Sequence, residues 1–174
     1  LRTRWRNPPC QLRISCMSDD DIRPGEVTVT LPSVTDAAVY FIGRIHTPWT
    51  ERGACPRTGD KVDGPECRIV VDRRWAQALT GLDQQAEILV LYWMNRARRD
   101  IVIQTPRHSG KTLGTFALRS PVRPNPIAAS VVTLLGIEGT TLRVRGLDCM
   151  DGTPLLDIKP HRRPEPASDT QPAP

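Results

Sequence analysis

A chain of 174 residues has room for one domain with a substantial core and not for two. Its 39% apolar content suffices to fold without staples, and its longest apolar run, Ile88–Met94, is far too short for a membrane helix. The net charge of +5 is mostly local: residues 1–18 carry Arg2, Arg4, Arg6 and Arg13 and no acid, which leaves 20 basic against 19 acidic residues and excludes a uniformly basic polymer binder.

The Arg-rich start resembles a transit peptide in composition but lacks a secretory apolar core. Met17, followed by Ser18-Asp19-Asp20-Asp21, reads as a natural beginning, with residues 1–24 as a flexible arm. The folded part is expected over 25–160. Val27–Leu31 alternates as Val-Thr-Val-Thr-Leu, and Val39–Ile45 and Arg68–Val71 follow as strands. Asp72 then stands as an N-cap before Trp75, Ala78, Leu79 and Leu82, whose spacing predicts a short helix stopped at Gly81. Further strands are expected at Ile88–Met94, Ile101–Ile103, Gly114–Leu118, Ser130–Leu135 and Thr141–Arg145. Many short strands with one helix predict a mainly β fold, a small barrel or sandwich, and no Rossmann alternation is present. The Pro-rich residues 161–174 read as a disordered tail.

Ile88–Met94 is apolar on both faces, whereas a barrel wall buries only one. Either the Trp75 helix or a second subunit must cover the other. The helix is too short to cover it fully, so a homodimer is expected, with Val90 or Tyr92 facing outward.

The five cysteines, Cys10, Cys16, Cys55, Cys67 and Cys149, show no zinc-site spacing, so no metal is expected and they read as free thiols in a cytoplasmic protein. Gly110-Lys111-Thr112 imitates a phosphate loop, but Thr105 stands where that motif needs glycine. From Arg96 to Arg123, seven basic residues face a single acid, Asp100. That concentration suits a phosphate backbone, and Arg98, Arg99, Arg107, Lys111 and Arg123 are the candidate RNA contacts.

Two segments carry more specific information. Arg119-Ser120-Pro121-Val122-Arg123-Pro124-Asn125-Pro126-Ile127 contains three prolines in six residues, which hold the chain extended and stiff. Asp148 to Pro160 sets three carboxylates and a lysine around Gly152-Thr153-Pro154. With these motifs, and with His46-Thr47-Pro48, Pro56-Arg57 and Gly81-Leu82 in order, the chain resembles the TrmO (YaeB-like, TsaA-like) family of SAM-dependent tRNA methyltransferases. The resemblance implies a single-sheeted β-barrel, used as a homodimer with S-adenosyl-L-methionine near the interface. It also implies N6-methylation of N6-threonylcarbamoyladenosine at tRNA position 37.

Carried over by motif, the implied cofactor contacts are Gly59, Asp60, Lys61, Asn95, Arg96, Arg119, Ala129, Arg145, Gly146, Leu147 and Asp148. Asp157 is the candidate general base for the N6 proton, with Lys159 setting its ionisation or binding RNA. The sequence departs from the family pattern at Thr58, Asn95, Ala128 and His161, where Gln, His, Gly and Tyr are usual. A SAM-binding sensor or RNA-binding module without catalysis, or an enzyme with another acceptor, is the alternative.

Overall fold

The computed structural model describes residues 22–106 and 110–161; the N-terminal arm before Ile22, Arg107 and the Pro-rich tail from Arg162 lie outside the described residues. Nine strands are present among them: β1 (Val27–Thr28), β2 (Gly43–His46), β3 (Glu66–Val71), β4 (Glu87–Trp93), β5 (Ile101–Gln104), β6 (Leu113–Gly114), β7 (Ile127–Glu138), β8 (Thr141–Arg145) and β9 (Thr153–Pro160). Six of them close an antiparallel barrel in the order β2-β3-β8-β7-β4-β9. Closure leaves no barrel edge unpaired, which removes the aggregation hazard of an open sheet. The expected mainly β barrel is what forms.

The inward rows follow the period-two rule. Ile45, Cys67, Ile69, Val71, Ile88, Val90, Tyr92, Val132, Leu142, Val144 and Leu155 make one buried cluster, joined at the barrel end by Leu147 and Cys149. Each such aliphatic side chain withdrawn from water contributes about 1.5–3 kcal/mol before entropy is charged against it. Two bulges shape the wall: β7 shifts register against β8 between Leu134 and Gly136, and β4 shifts against β9 between Leu91 and Tyr92. Extra residues of this kind bend strands and add the curvature a small barrel needs.

A second, three-stranded sheet, β1-β5-β6, sits apart from the barrel strands. Its polar centre is Gln104, 3% exposed, whose Nε2 donates to Thr115 Oγ1 and to the Val122 carbonyl, each at 2.7 Å. Thr115 Oγ1 in turn donates to the Ile101 carbonyl at 2.8 Å. The proline-rich segment is thereby pinned to β5.

Several elements differ from the sequence reading. The expected helix is a 3-10 helix over Arg73–Leu79, and Asp72, though extended like an N-cap, makes no side-chain cap bond. So short a segment between β3 and the left-handed Gly81 (φ 78°) cannot offset α-helix nucleation; the tighter helix still seats Trp75 and Leu79 on the core, and a second 3-10 turn, Leu82–Gln84, seats Leu82. Val27–Leu31 pairs over two residues only, because its alternating side chains find no core; Val27, Val29 and Leu31 stay exposed. Of Gly114–Leu118 only Gly114 is strand, at the end of β6, and Thr115–Ala117 form a 3-10 turn. The segment read as a Gly-Thr-Pro turn continues into β9, which closes the barrel. Finally, Val90 and Tyr92 both point inward; the outward residues of β4 are Leu89, Leu91 and Trp93.

Candidate functional site

The loop at Gly59–Lys61 lies on the exit of β8. A Cβ on Gly59 would stand 1.8 Å from the Gly146 carbonyl oxygen, so only glycine permits this approach. Gly146 itself has φ +113°, and a Cβ there would meet Lys61 Cβ at 2.9 Å. Asp60 Oδ1 accepts from the Val62 and Asp63 amides at 2.9 and 3.0 Å, bonds that hold its carboxyl below the usual range and shape the loop. Lys61 Nζ pairs with Glu87 Oε1 at 2.7 Å, and Thr133 Oγ1 donates to the Lys61 carbonyl at 2.8 Å. Arg145 Nη1 donates to the Val62 carbonyl at 3.1 Å, while its Nε is buried with no hydrogen-bond partner.

Beyond Gly146 the chain turns into the barrel mouth. Leu147 and Cys149 are buried, and Asp148 between them accepts a 2.6 Å hydrogen bond from Tyr92 Oη. The same hydroxyl meets Ser130 Oγ at 2.9 Å. Burial, above all, drives the Tyr92 pKa far up, so the phenol remains a donor throughout the neutral range. Sequence reading treated Tyr92 and Ser130 as strand residues; a tyrosine and a serine paired inward through β4 and β7 become visible only once register is known.

The outer face of β4 carries the remaining candidates. Cross-strand register sets Leu89 against Val131 and Lys159, and Leu91 against Ala129 and Asp157. Asp157 and Lys159 form an ion pair at 2.7 Å, with side chains 47% and 57% exposed, and Asp157 Oδ1 also accepts from the Ile158 amide. Trp93 packs near Phe41, ring centroids 6.5 Å apart, and Arg99 lies 5.5 Å from its ring centre. Ile127 and Ala129 are exposed beside this row.

The implied cofactor residues do not all gather in one chain. Gly59, Asp60, Lys61, Arg145 and Gly146 lie together at the Glu87 end of the wall; Leu147 and Asp148 run on from them to reach Tyr92, and Asn95 and Arg96 follow the far end of β4 as exposed residues. From Glu87 to Trp93 is about 20 Å of strand. Ala129 stands on the outer face between the two groups. Arg119 is exposed ahead of the proline-rich segment.

Arg98, Arg99 and Arg123, among the candidate RNA contacts, hold partners within the fold. Arg98 holds Asp100 through two bonds, of 3.0 and 2.6 Å, and keeps that carboxyl below its usual range. Arg99 donates to the Pro124 carbonyl at 2.5 Å and to Asn125 Oδ1 at 3.3 Å. Arg123 Nη2 donates to the Leu118 and Thr115 carbonyls at 2.9 and 3.4 Å. Arg99 and Arg123 thus fasten the proline-rich segment, and Arg98 braces the turn into β5. Lys111 is exposed, and Arg107 lies outside the described residues.

The model for the tRNA-methyltransferase O N-terminal domain matches residues 44–165. A Rhizobium radiobacter protein named "Probable S-adenosyl-L-methionine-binding protein VirR" is 46% identical over 146 residues, covering 84% of this chain and 83% of that protein. The tRNA (adenine(37)-N6)-methyltransferase of Escherichia coli K12 is 32% identical over 130 residues, 69% of this chain and 55% of that protein. The crystal structure of TrmO from Pseudomonas aeruginosa superposes with a TM-score of 0.62 at 31% identity, covering 79% of this chain and 62% of that one. The chain thus spans about half of the Escherichia coli enzyme and under two thirds of the solved structure. The matched domain and the shared fold agree, and the chain belongs to the TrmO family of methyltransferases.

Proposed function

We propose that this chain binds S-adenosyl-L-methionine and methylates N6 of N6-threonylcarbamoyladenosine at tRNA position 37, working as a homodimer. The observation that carries the cofactor assignment is the β8 exit. There Arg145 Nε is buried without a partner, as Arg123 Nε is beside the proline-rich segment, and Gly59 and Gly146 let the two loop segments pack main chain to main chain. An unpaired buried donor is costly, and a carboxylate or ribose oxygen would satisfy it. The donor set therefore fits a nucleoside-linked amino acid.

When bound, S-adenosyl-L-methionine supplies an electrophilic methyl group. The chain's own residues bind, orient and move a proton. Arg145 and the Gly146 main chain hold the ligand, and Tyr92 fixes Asp148 at the same exit. The acceptor nitrogen of a ureido group is a weak nucleophile, so alignment supplies most of the rate and removal of its proton the rest. Asp157 is assigned the base. Lys159, 2.7 Å away, pairs with it and lies where an RNA phosphate could approach.

Dimerisation explains the division of the cofactor residues. A twofold that packs the outer faces of β4 and β7 together covers Leu89, Leu91 and Ile127. An antiparallel arrangement sets the Asn95–Arg96 end of one copy beside the Arg145–Gly146 end of the other, across the 20 Å or so that separate them in one chain. Titration calorimetry on the full chain tests the cofactor assignment: one site per chain is expected. A protein that binds neither S-adenosyl-L-methionine nor S-adenosylhomocysteine at millimolar concentration would overturn it. Binding without turnover would favour a sensor, the reading suggested by the departures at Thr58, Asn95 and His161.

A further inference from the structure

We propose that a cleft at the start of β3, outside every residue assigned above to the cofactor, is a phosphodiester-binding subsite for the RNA strand. The proposal rests on the reading of the protein as an RNA methyltransferase. The cleft has a volume of about 370 Å³ and is lined by His46, Thr47, Thr50, Glu66, Arg68 and Asp151, among others. Its two walls are tied together. Thr47 Oγ1 donates to the Cys149 carbonyl at 2.8 Å, the Asp151 amide to the Trp49 carbonyl at 2.7 Å, and the Gly152 amide to the Ile45 carbonyl at 2.9 Å. The cleft is thus preformed, and little ordering entropy opposes a ligand there.

Its donors, rather than its net charge, suit an anion. Both lining carboxylates are engaged. Glu66 takes two bonds from Arg143, at 2.7 and 3.3 Å, and Asp151 Oδ1 accepts from the Thr47 amide at 3.2 Å and meets His46 Nδ1 at 3.1 Å. Arg68 is exposed and makes no ion pair among the described residues. It stands opposite His46 across β2 and β3, on the same outer face. With Nδ1 turned to Asp151 Oδ1, Nε2 is the ring nitrogen that faces away from that contact. A guanidinium, a hydroxyl from Thr50 and an imidazole around a polar cleft suit a phosphate group.

Position supports the same assignment. Glu66 pairs with Arg145 in the β3–β8 register, so the cleft adjoins the proposed cofactor exit, with β2 about 10 Å from β8. A nucleotide could place its base at the exit and its phosphate in the cleft. In the barrel order, β2 and β3 lie away from the β4–β7 wall, so pairing of two copies through that wall leaves the cleft open. The arginines of the proline-rich region, by contrast, already have partners within the chain.

The test is the salt dependence of binding of an anticodon stem-loop RNA to the full chain, comparing wild type with Arg68→Ala and Arg73→Ala. Arg73 is an exposed control at the opposite end of β3. Arg68→Ala should weaken RNA binding severalfold and flatten the slope of log K against log salt by about 0.7–0.9, the loss of one phosphate contact. Its affinity for S-adenosyl-L-methionine and its melting temperature should be unchanged, and Arg73→Ala should match wild type. An unaltered slope in Arg68→Ala, or an equal loss in Arg73→Ala, would overturn the proposal. The methyltransferase reading fails separately, through absence of turnover by the wild type. In that event titration with inorganic phosphate, followed by NMR at His46 and Arg68, decides the cleft. Saturable shifts abolished by Arg68→Ala support an anion site fed from another source, and their absence rejects it.

Discussion

Replacing Tyr92 by Phe removes one oxygen from the barrel interior and tests whether that oxygen supports the cofactor exit. The side chain is 2% exposed, so the ring stays packed and only its bonds to Asp148 and Ser130, of 2.6 and 2.9 Å, are lost. A hydrogen bond to a carboxylate contributes about 1.5–3 kcal/mol. Asp148 is only half-buried and recovers some solvation, which brings the expected stability loss to about 1–2 kcal/mol. For a domain of this size that lowers Tm by about 3–6 °C in calorimetry. The freed Asp148 should also weaken S-adenosyl-L-methionine binding by about tenfold, equivalent to about 1.4 kcal/mol, in titration calorimetry at pH 7. Because burial raises the Tyr92 pKa far above neutrality, both effects should hold steady from pH 6 to 9. A variant with wild-type Tm and wild-type affinity would refute the role assigned to this hydroxyl.

Leu91→Asp, on the outer face of β4, should yield a folded monomer in sedimentation at tens of micromolar, with weakened cofactor binding; each twofold contact would bury two such charges at a cost of several kcal/mol. A variant that sediments like wild type would place any interface elsewhere. Gly59→Ala cannot keep its approach to the Gly146 carbonyl, so about 1–3 kcal/mol of stability should be lost in urea unfolding, together with cofactor affinity; retention of both would contradict the site. Burial pushes the Cys67 and Cys149 thiols up to about 11 and about 12. Their protonated forms therefore stabilise the fold fully below the ordinary thiol pKa, and this contribution declines as pH rises from about 9 towards 12, by up to 1.4 kcal/mol per pH unit for each. Thiol labelling at pH 8 should spare both until denaturant is added, and rapid native labelling of either would contradict their placement.

How much of this was legible in the sequence depended on whether local pattern and tertiary environment agreed. Thr141–Arg145 alternates cleanly, sits between two partners and forms with the expected bounds. Val27–Leu31 alternates as well but has no core behind it, so pattern alone misled. β9 was hidden because Gly152 and Pro154 read as turn punctuation. In the structure Pro154 stands at the strand's start, where its missing N–H is tolerable. The apolar β4 announced a second covered face, but which residues looked outward needed the register that places Leu91 opposite Ala129 and Asp157. Charge counting found the basic residues from Arg96 to Arg123 and could not reveal that Arg98, Arg99 and Arg123 bind acids and carbonyls of their own chain. The Tyr92–Asp148 bond and the His46–Asp151 contact span 56 and 105 positions, and no local motif encodes them.

The most direct measurement is a single-turnover reaction of the full chain with S-adenosyl-L-methionine and a tRNA carrying N6-threonylcarbamoyladenosine at position 37, read by mass spectrometry of the digested nucleosides. The expected result is one equivalent each of the N6-methylated nucleoside and S-adenosylhomocysteine, with Asp157→Asn slowing the step by about a hundredfold or more while leaving cofactor affinity intact. Tight binding of S-adenosyl-L-methionine with neither product formed would contradict the assignment of this chain as a tRNA methyltransferase.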